Sequence, residues 1–117
     1  MRTFIATLGK GKGTWGKVKR ISGEDWDKIV LLGNSWAKDT FKSDLAYEWI
    51  LLEDEKDVCQ QVMDIIENLP EDLGDVFVNV TSGSGSEHLA LISALISNNK
   101  PFKTVCVCDD GITYYGE

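Results

Sequence analysis

Apolar residues along the chain gather in short runs broken by glycine, serine and charge, and the runs alternate between two periodicities. Thr3–Leu8 is almost continuously apolar and stops at Gly9, as a strand covered on both faces does. Thr14 then stands where it can cap a helix reaching about Arg20, with Trp15 and Val18 at helical spacing. Lys28–Leu32 predicts a second buried strand, ending at Gly33-Asn34-Ser35, and Lys38–Leu45 predicts a short helix. Tyr47–Leu52 predicts a third strand. The acidic cluster Glu53-Asp54-Glu55 follows and is expected to open a helix, where negative charge suits the N-terminal dipole. Val58, Val62, Ile65, Ile66 and Leu69 fall on one face of that helix, and Pro70 ends it. Val76–Val80 predicts a fourth strand. Glu87–Ser97 predicts a helix that is apolar on nearly every side and therefore deeply buried. Thr104–Cys108 and Ile112–Tyr115 flank Asp109-Asp110-Gly111, the turn chemistry of a β-hairpin.

Strands alternating with helices, each strand nearly all apolar, predict an α/β fold: a three-layer Rossmann-like domain with a mostly parallel sheet and a C-terminal antiparallel β-hairpin. No repeat or linker interrupts the alternation, so residues 1–117 are expected to form a single domain. In such sheets a ligand lies beyond the carboxyl ends of the strands, where the strand order switches. Those ends are Gly9–Thr14, Gly33–Trp36 and Thr81–Ser86.

Composition narrows the class. Of 117 residues, 43% are hydrophobic and 26% charged, the balance of an ordinary globular domain. No apolar run approaches the roughly 20 residues of a membrane span, and MRTFIATLG lacks the anatomy of a signal peptide. A cytoplasmic protein without membrane contact is expected. Cys59, Cys106 and Cys108 sit within apolar patterns and read as buried thiols in a reducing compartment. His88, the single histidine, cannot build a metal site alone, and no metal or cofactor is expected.

The formal net charge of −7 argues against direct binding to duplex DNA. Six of the 12 basic residues nevertheless fall in the first 20 positions: Arg2, Lys10, Lys12, Lys17, Lys19 and Arg20. Positive charge concentrated around one glycine-rich segment suits a small anionic ligand.

Two segments carry the candidate chemistry. In TLGKGKGTWGKV, Gly11, Gly13 and Gly16 match the dinucleotide pattern G-x-G-x-x-G between a strand and a helix. The acidic residue expected after the second strand is missing, with Asn34, Ser35 and Trp36 standing there. Gly11, Gly16 and Lys17 also have phosphate-loop spacing, but Val18 replaces the hydroxyl that would hold magnesium. A basic surface loop is the remaining reading. In NVTSGSGSEH, Ser84 and Glu87 form the capping box S-x-x-E. Capping alone leaves Thr81, Ser82, Gly83, Gly85 and Ser86 unexplained. Glycines at the start of a helix permit close backbone approach, and an anion is favoured there.

VNVTSGSGSEHLALISAL resembles the signature of CARF domains, the CRISPR-associated Rossmann-like sensors of cyclic oligoadenylate: an apolar strand, a turn of Asn-x-Thr-Gly-Gly-Thr-Lys type, then an apolar helix. FIATLGKGKGTW resembles their first strand and ligand-facing loop. The serine-rich turn here is longer than the family's, and His88 follows where a lysine is often near. The resemblance implies a homodimer whose paired loops surround one ring-shaped adenylate. Ligand contacts are expected from the loops beyond the strand ends, at Gly9, Lys10, Gly11, Lys12, Gly13, Thr14, Asn34, Ser35, Thr81, Ser82, Gly83, Ser84, Gly85 and Ser86. A stand-alone domain of this kind binds the messenger as a sensor or regulator. Alternatively it cleaves the ring without metal, the ribose 2′-hydroxyl attacking the adjacent phosphate. The catalytic candidates would then be Lys10 or Lys12 as the cation, Ser84 or Ser86 as donors, and His88 as acid–base group. Another nucleotide or dinucleotide remains a further alternative. Four tryptophans, Trp15, Trp26, Trp36 and Trp49, are many for one small core, and at least one is expected in a two-fold interface.

Overall fold

The computed structural model describes all residues, Met1–Glu117. Six strands form one sheet: β1 (Arg2–Thr7), β2 (Lys28–Gly33), β3 (Glu48–Leu51), β4 (Asp75–Asn79), β5 (Phe102–Cys108) and β6 (Gly111–Tyr115). Their order is β3-β2-β1-β4-β5-β6, all parallel except the β5–β6 hairpin at the edge. The helices are α1 (Trp15–Ser22), α2 (Ser35–Thr40), α3 (Val58–Asn68) and α4 (Gly85–Ser97), with a single 3-10 turn at Lys12–Thr14 before α1.

Alternation along the central strands divides the core in two, because successive side chains on a strand leave opposite faces. Phe4, Ala6 and Leu8 join Ile29, Leu31 and Phe77 under α1 and α2, while Ile5, Val30, Leu32, Val76 and Val78 meet α3 and α4 on the other face. The result is the expected three-layer Rossmann-like α/β architecture. No helix is long and apolar enough to cross a membrane.

Several local expectations are corrected. Helix α2 starts three residues early, since the Asn34 side chain accepts from the Ala37 amide and fixes the helix start there. The cluster Glu53-Asp54-Glu55 does not open α3. Asp57 caps that helix through a reciprocal capping box with Gln60, which leaves the cluster in the preceding loop. Thr14 occupies the N-cap position of α1 but makes no side-chain cap bond. Helix α4 buries Ala90, Leu91, Ala94 and Leu95 but not its whole circumference: Leu89 is 57% and Ile96 66% exposed. The thiols are not buried either: Cys59 is exposed on α3, and Cys106 and Cys108 are half-buried because the hairpin lies at the margin of the sheet. Among the tryptophans, Trp15 is buried, Trp26 and Trp49 are half-buried in the α1/α2-side core, and only Trp36 is exposed.

Candidate functional site

Strands β1 and β4 are neighbours at the middle of the sheet, and the chain runs outward from them in opposite directions. Their C-terminal loops therefore meet at the switch point, where the strand order leaves a crevice. The meeting is close. The Gly9 amide donates to Ser82 Oγ at 2.9 Å, and the Thr7 hydroxyl donates to the Ser82 carbonyl. A Cβ on Gly9 would lie 2.6 Å from the Cα of Gly83, so only glycine lets the loops touch. Gly83 itself has φ 101°, a conformation that other residues rarely adopt.

His88, one turn into α4, places Nε2 2.8 Å from the same Ser82 carbonyl. A carbonyl oxygen only accepts, so Nε2 carries the proton and serves as donor. The histidine is thereby a strut beneath the loop, and it does not line the crevice. Asn79, at the end of β4, works from the other side. Its amide donates to Thr81 Oγ1 and to the Val105 carbonyl, each at 2.9 Å, which ties the loop root to β5.

Above these contacts lies a cleft of about 880 Å³. Gly9, Lys10, Gly11, Gly13, Thr14, Asn34, Thr81, Ser82, Gly83, Ser84 and Ser86 all line it, whereas Lys12, Ser35 and Gly85 do not. The sequence reasoning missed the opposite wall, formed by Asp54, Lys56, Asp57, Val58 and Gln61 after β3, together with Glu87. The signal was available. The third parallel strand also ends at this edge, but the acidic run after it reads as a helix start and hides the loop.

Charge in the cleft is mixed, but most of it is spoken for. Asp54 accepts from the Asn34 amide, with a nearest approach of 3.1 Å, Asp57 caps α3, and Glu87 accepts from the Ser84 amide. Lys56 pairs with Asp64 at 2.9 Å and Glu53 at 3.5 Å, and the Asp64 hydrogen bond pushes its pKa up. Lys10 is thus the one cation lining the cleft without an ion pair. Among the loop residues lining the cleft with it, the backbone amides of Gly11, Gly83 and Ser86, like that of Lys10 itself, donate to no group of the chain. Side chains on Gly11 and Gly13 would meet nothing within 4 Å, so no protein packing requires glycine at either position.

One buried polar atom is unsatisfied: Oε1 of Gln61, a residue only 5% exposed on the far wall. Its amide nitrogen donates to the Glu53 carbonyl at 3.1 Å, which fixes the orientation and leaves the oxygen without a donor. The cleft therefore combines an anion-favouring side of free amides and Lys10 with a far wall that can accept hydrogen bonds. No group of three or more His, Cys, Asp or Glu is arranged to hold a metal ion.

Fold and site together define a Rossmann-like α/β domain with a switch-point cleft. No protein-family model matches the chain, and no curated protein matches it significantly.

Proposed function

We propose that the chain is a nucleotide sensor that takes a cyclic oligoadenylate in the switch-point cleft, acting as a cytoplasmic homodimer. The observation that carries this reading is the contact of the Gly9 and Ser82-Gly83 loops beneath a set of free amides and one unpaired lysine. Phosphates are bound by such arrays of N–H donors with a cation nearby. A volume of about 880 Å³ lies near the upper end of what a single small-molecule site offers, and a ligand larger than one mononucleotide suits it. Self-association is supported by the exposed apolar side chains of Leu89 and Ile96, two turns apart on α4, and by exposed Trp36.

Binding is preferred over ring cleavage because of where the candidate catalytic groups are used. His88 is engaged below the loop, and the Ser84 hydroxyl accepts from the Glu87 amide as a helix cap. A dinucleotide is the second reading, favoured by the Asp54 carboxylate beside Asn34. That carboxylate stands at the cleft's far wall, where a ribose hydroxyl could be accepted.

Calorimetric titration with cyclic tetra- and hexa-adenylate, linear oligoadenylate, NAD and ATP tests the reading, with chromatography of the ligand afterwards. Saturable binding of one cyclic adenylate, recovered intact, is the expected result. Binding of NAD alone would transfer the assignment to the dinucleotide reading, and shortened linear products at sub-stoichiometric protein would make the protein an enzyme. No binding by any of the four overturns the nucleotide reading.

A further inference from the structure

Cys106 and Cys108 lie two residues apart on β5 and so share one face of the strand, with their Sγ atoms 3.4 Å apart. Both are half-buried, and neither lines the nucleotide cleft. The hairpin register sets Thr113 directly opposite Cys106 and Tyr115 opposite Thr104, on that same face. The thiol pair is therefore held at the margin of the sheet with two hydroxyls beside it.

The hydroxyls distinguish the two sulfurs. The nearby Thr113 hydroxyl first, then the Cys106 thiol and the Tyr115 hydroxyl, hold the Cys108 thiol below its ordinary pKa, against the opposing effects of desolvation and the Asp109 carboxylate. Cys106, hydrogen-bonded to Cys108, partly desolvated and repelled by the Cys108 charge, is pushed up. Tyr115 is raised as well, chiefly by the charge of Cys108. One sulfur is thus the first to ionise, with a protonated partner in contact, the arrangement of an attacking thiolate and a resolving thiol.

We propose that Cys106 and Cys108 form a reversible thiol–disulfide exchange site for low-molecular-weight disulfides. The Cys108 thiolate attacks one sulfur of the disulfide, forming a mixed disulfide and expelling one thiolate. Cys106 then loses its proton and attacks Cys108 Sγ, expelling the second thiolate. The protein dithiol is oxidised by two electrons, the external disulfide is reduced to two thiols, and the two protein protons end on those thiols. Geometry sets the character of the product. An S–S bond is about 2.05 Å long and joins Cα atoms usually 4.4–6.8 Å apart, while alternate residues of a strand stand roughly 6.6 Å apart. That spacing is already at the upper edge of the range, and the two Cβ atoms must still close to about 3.5–4.5 Å, so the strand has to bend and the bond is strained and readily reduced.

The test equilibrates the reduced protein with graded ratios of reduced and oxidised glutathione, quenches with acid, alkylates, and maps peptides by mass. Both thiols lie on the tryptic peptide that follows Lys103. Loss of two hydrogens on that peptide, reversed by excess reduced glutathione, is the expected result. In Cys106→Ser the reaction should stop at a glutathione adduct on Cys108. In Cys108→Ser an adduct on Cys106 should form at least about tenfold more slowly. Cys59→Ser should behave as the unmodified protein. Separate adducts on both thiols with no internal bond at any ratio, or a bond only between molecules, would overturn the proposal. Equal reactivity of the two single variants would overturn the assigned roles. The peptide map of the unsubstituted protein decides the first point even if a variant fails to fold.

Discussion

A methyl group on Gly9 would stand 2.6 Å from the Cα and 2.7 Å from the amide nitrogen of Gly83, and neither backbone atom can swing aside as a side chain would. Gly9→Ala should therefore force the two loops apart. We expect a loss of about 1–3 kcal/mol in chemical denaturation, the usual cost of overpacking, and loss of nucleotide binding. Gly11→Ala is the control. Its backbone is extended, at φ −86° and ψ 129°, and its Cβ would meet nothing. Stability should stay within about 0.5 kcal/mol of the parent, so any fall in affinity would report a phosphate seated against that loop. Unchanged affinity in both variants would remove the ligand from the β1 loop. His88 belongs to the same scale. His88→Ala removes one of two donors to the Ser82 carbonyl, and about 0.5–1.5 kcal/mol of stability should go with it. If the histidine instead acted as an acid–base group, the variant would lose ring cleavage with its stability intact.

At the scale of elements, the sheet was legible because apolar runs bounded by glycine admit few alternatives, and five of the six strands lie within one residue of their expected ends. The exception, β5, begins at Phe102 and so extends two residues upstream of the expected Thr104. Helix α4 was legible for a different reason: Ser84 and Glu87 form a reciprocal box that the tetrapeptide alone encodes. The α3 start was misjudged because acidic residues suit any helix N-terminus, and three of them competed with the actual cap, Asp57. The far wall of the cleft was lost with that misjudgement. Composition could not reveal the exposure of Leu89 and Ile96, since a helix apolar all round is equally consistent with burial and with a partner. That ambiguity carries a prediction. Leu89→Lys with Ile96→Lys should leave denaturation nearly unchanged, because both side chains already face solvent, and should convert a dimer to a monomer in sedimentation. A parent protein that sediments as a monomer with and without ligand would contradict the homodimer.

Across the whole molecule, the basic cluster of the first 20 positions is dispersed by the fold. Arg2 sits 4.6 Å over the Trp26 ring and donates to the Asp25 carbonyl at 3.0 Å, at the start of β1 and so at the sheet edge opposite the cleft. Lys19 lies over Phe41. Of the early cluster only Lys10 lines the cleft, in a protein whose net charge is −7. Long-range attraction of an anion is therefore weak, and binding has to come from local amides and this one side chain. Lys10→Ala touches no packing contact and should leave the fold intact, yet weaken nucleotide binding by about 10–100-fold, the effect of losing a charge-assisted phosphate contact. The salt dependence is the sharper readout. Each phosphate neutralised on a single strand contributes roughly −0.7 to the slope of log affinity against log salt. Lys10→Ala should therefore flatten the slope by about that much per protomer, whereas Lys12→Ala, outside the cleft, should leave it nearly unchanged. Lys10→Arg should retain the slope, because the charge remains. An unchanged slope in Lys10→Ala, with the affinity also unchanged, would mean that the phosphates lie elsewhere and that the free amides around Gly11 and Gly83 do not bind them.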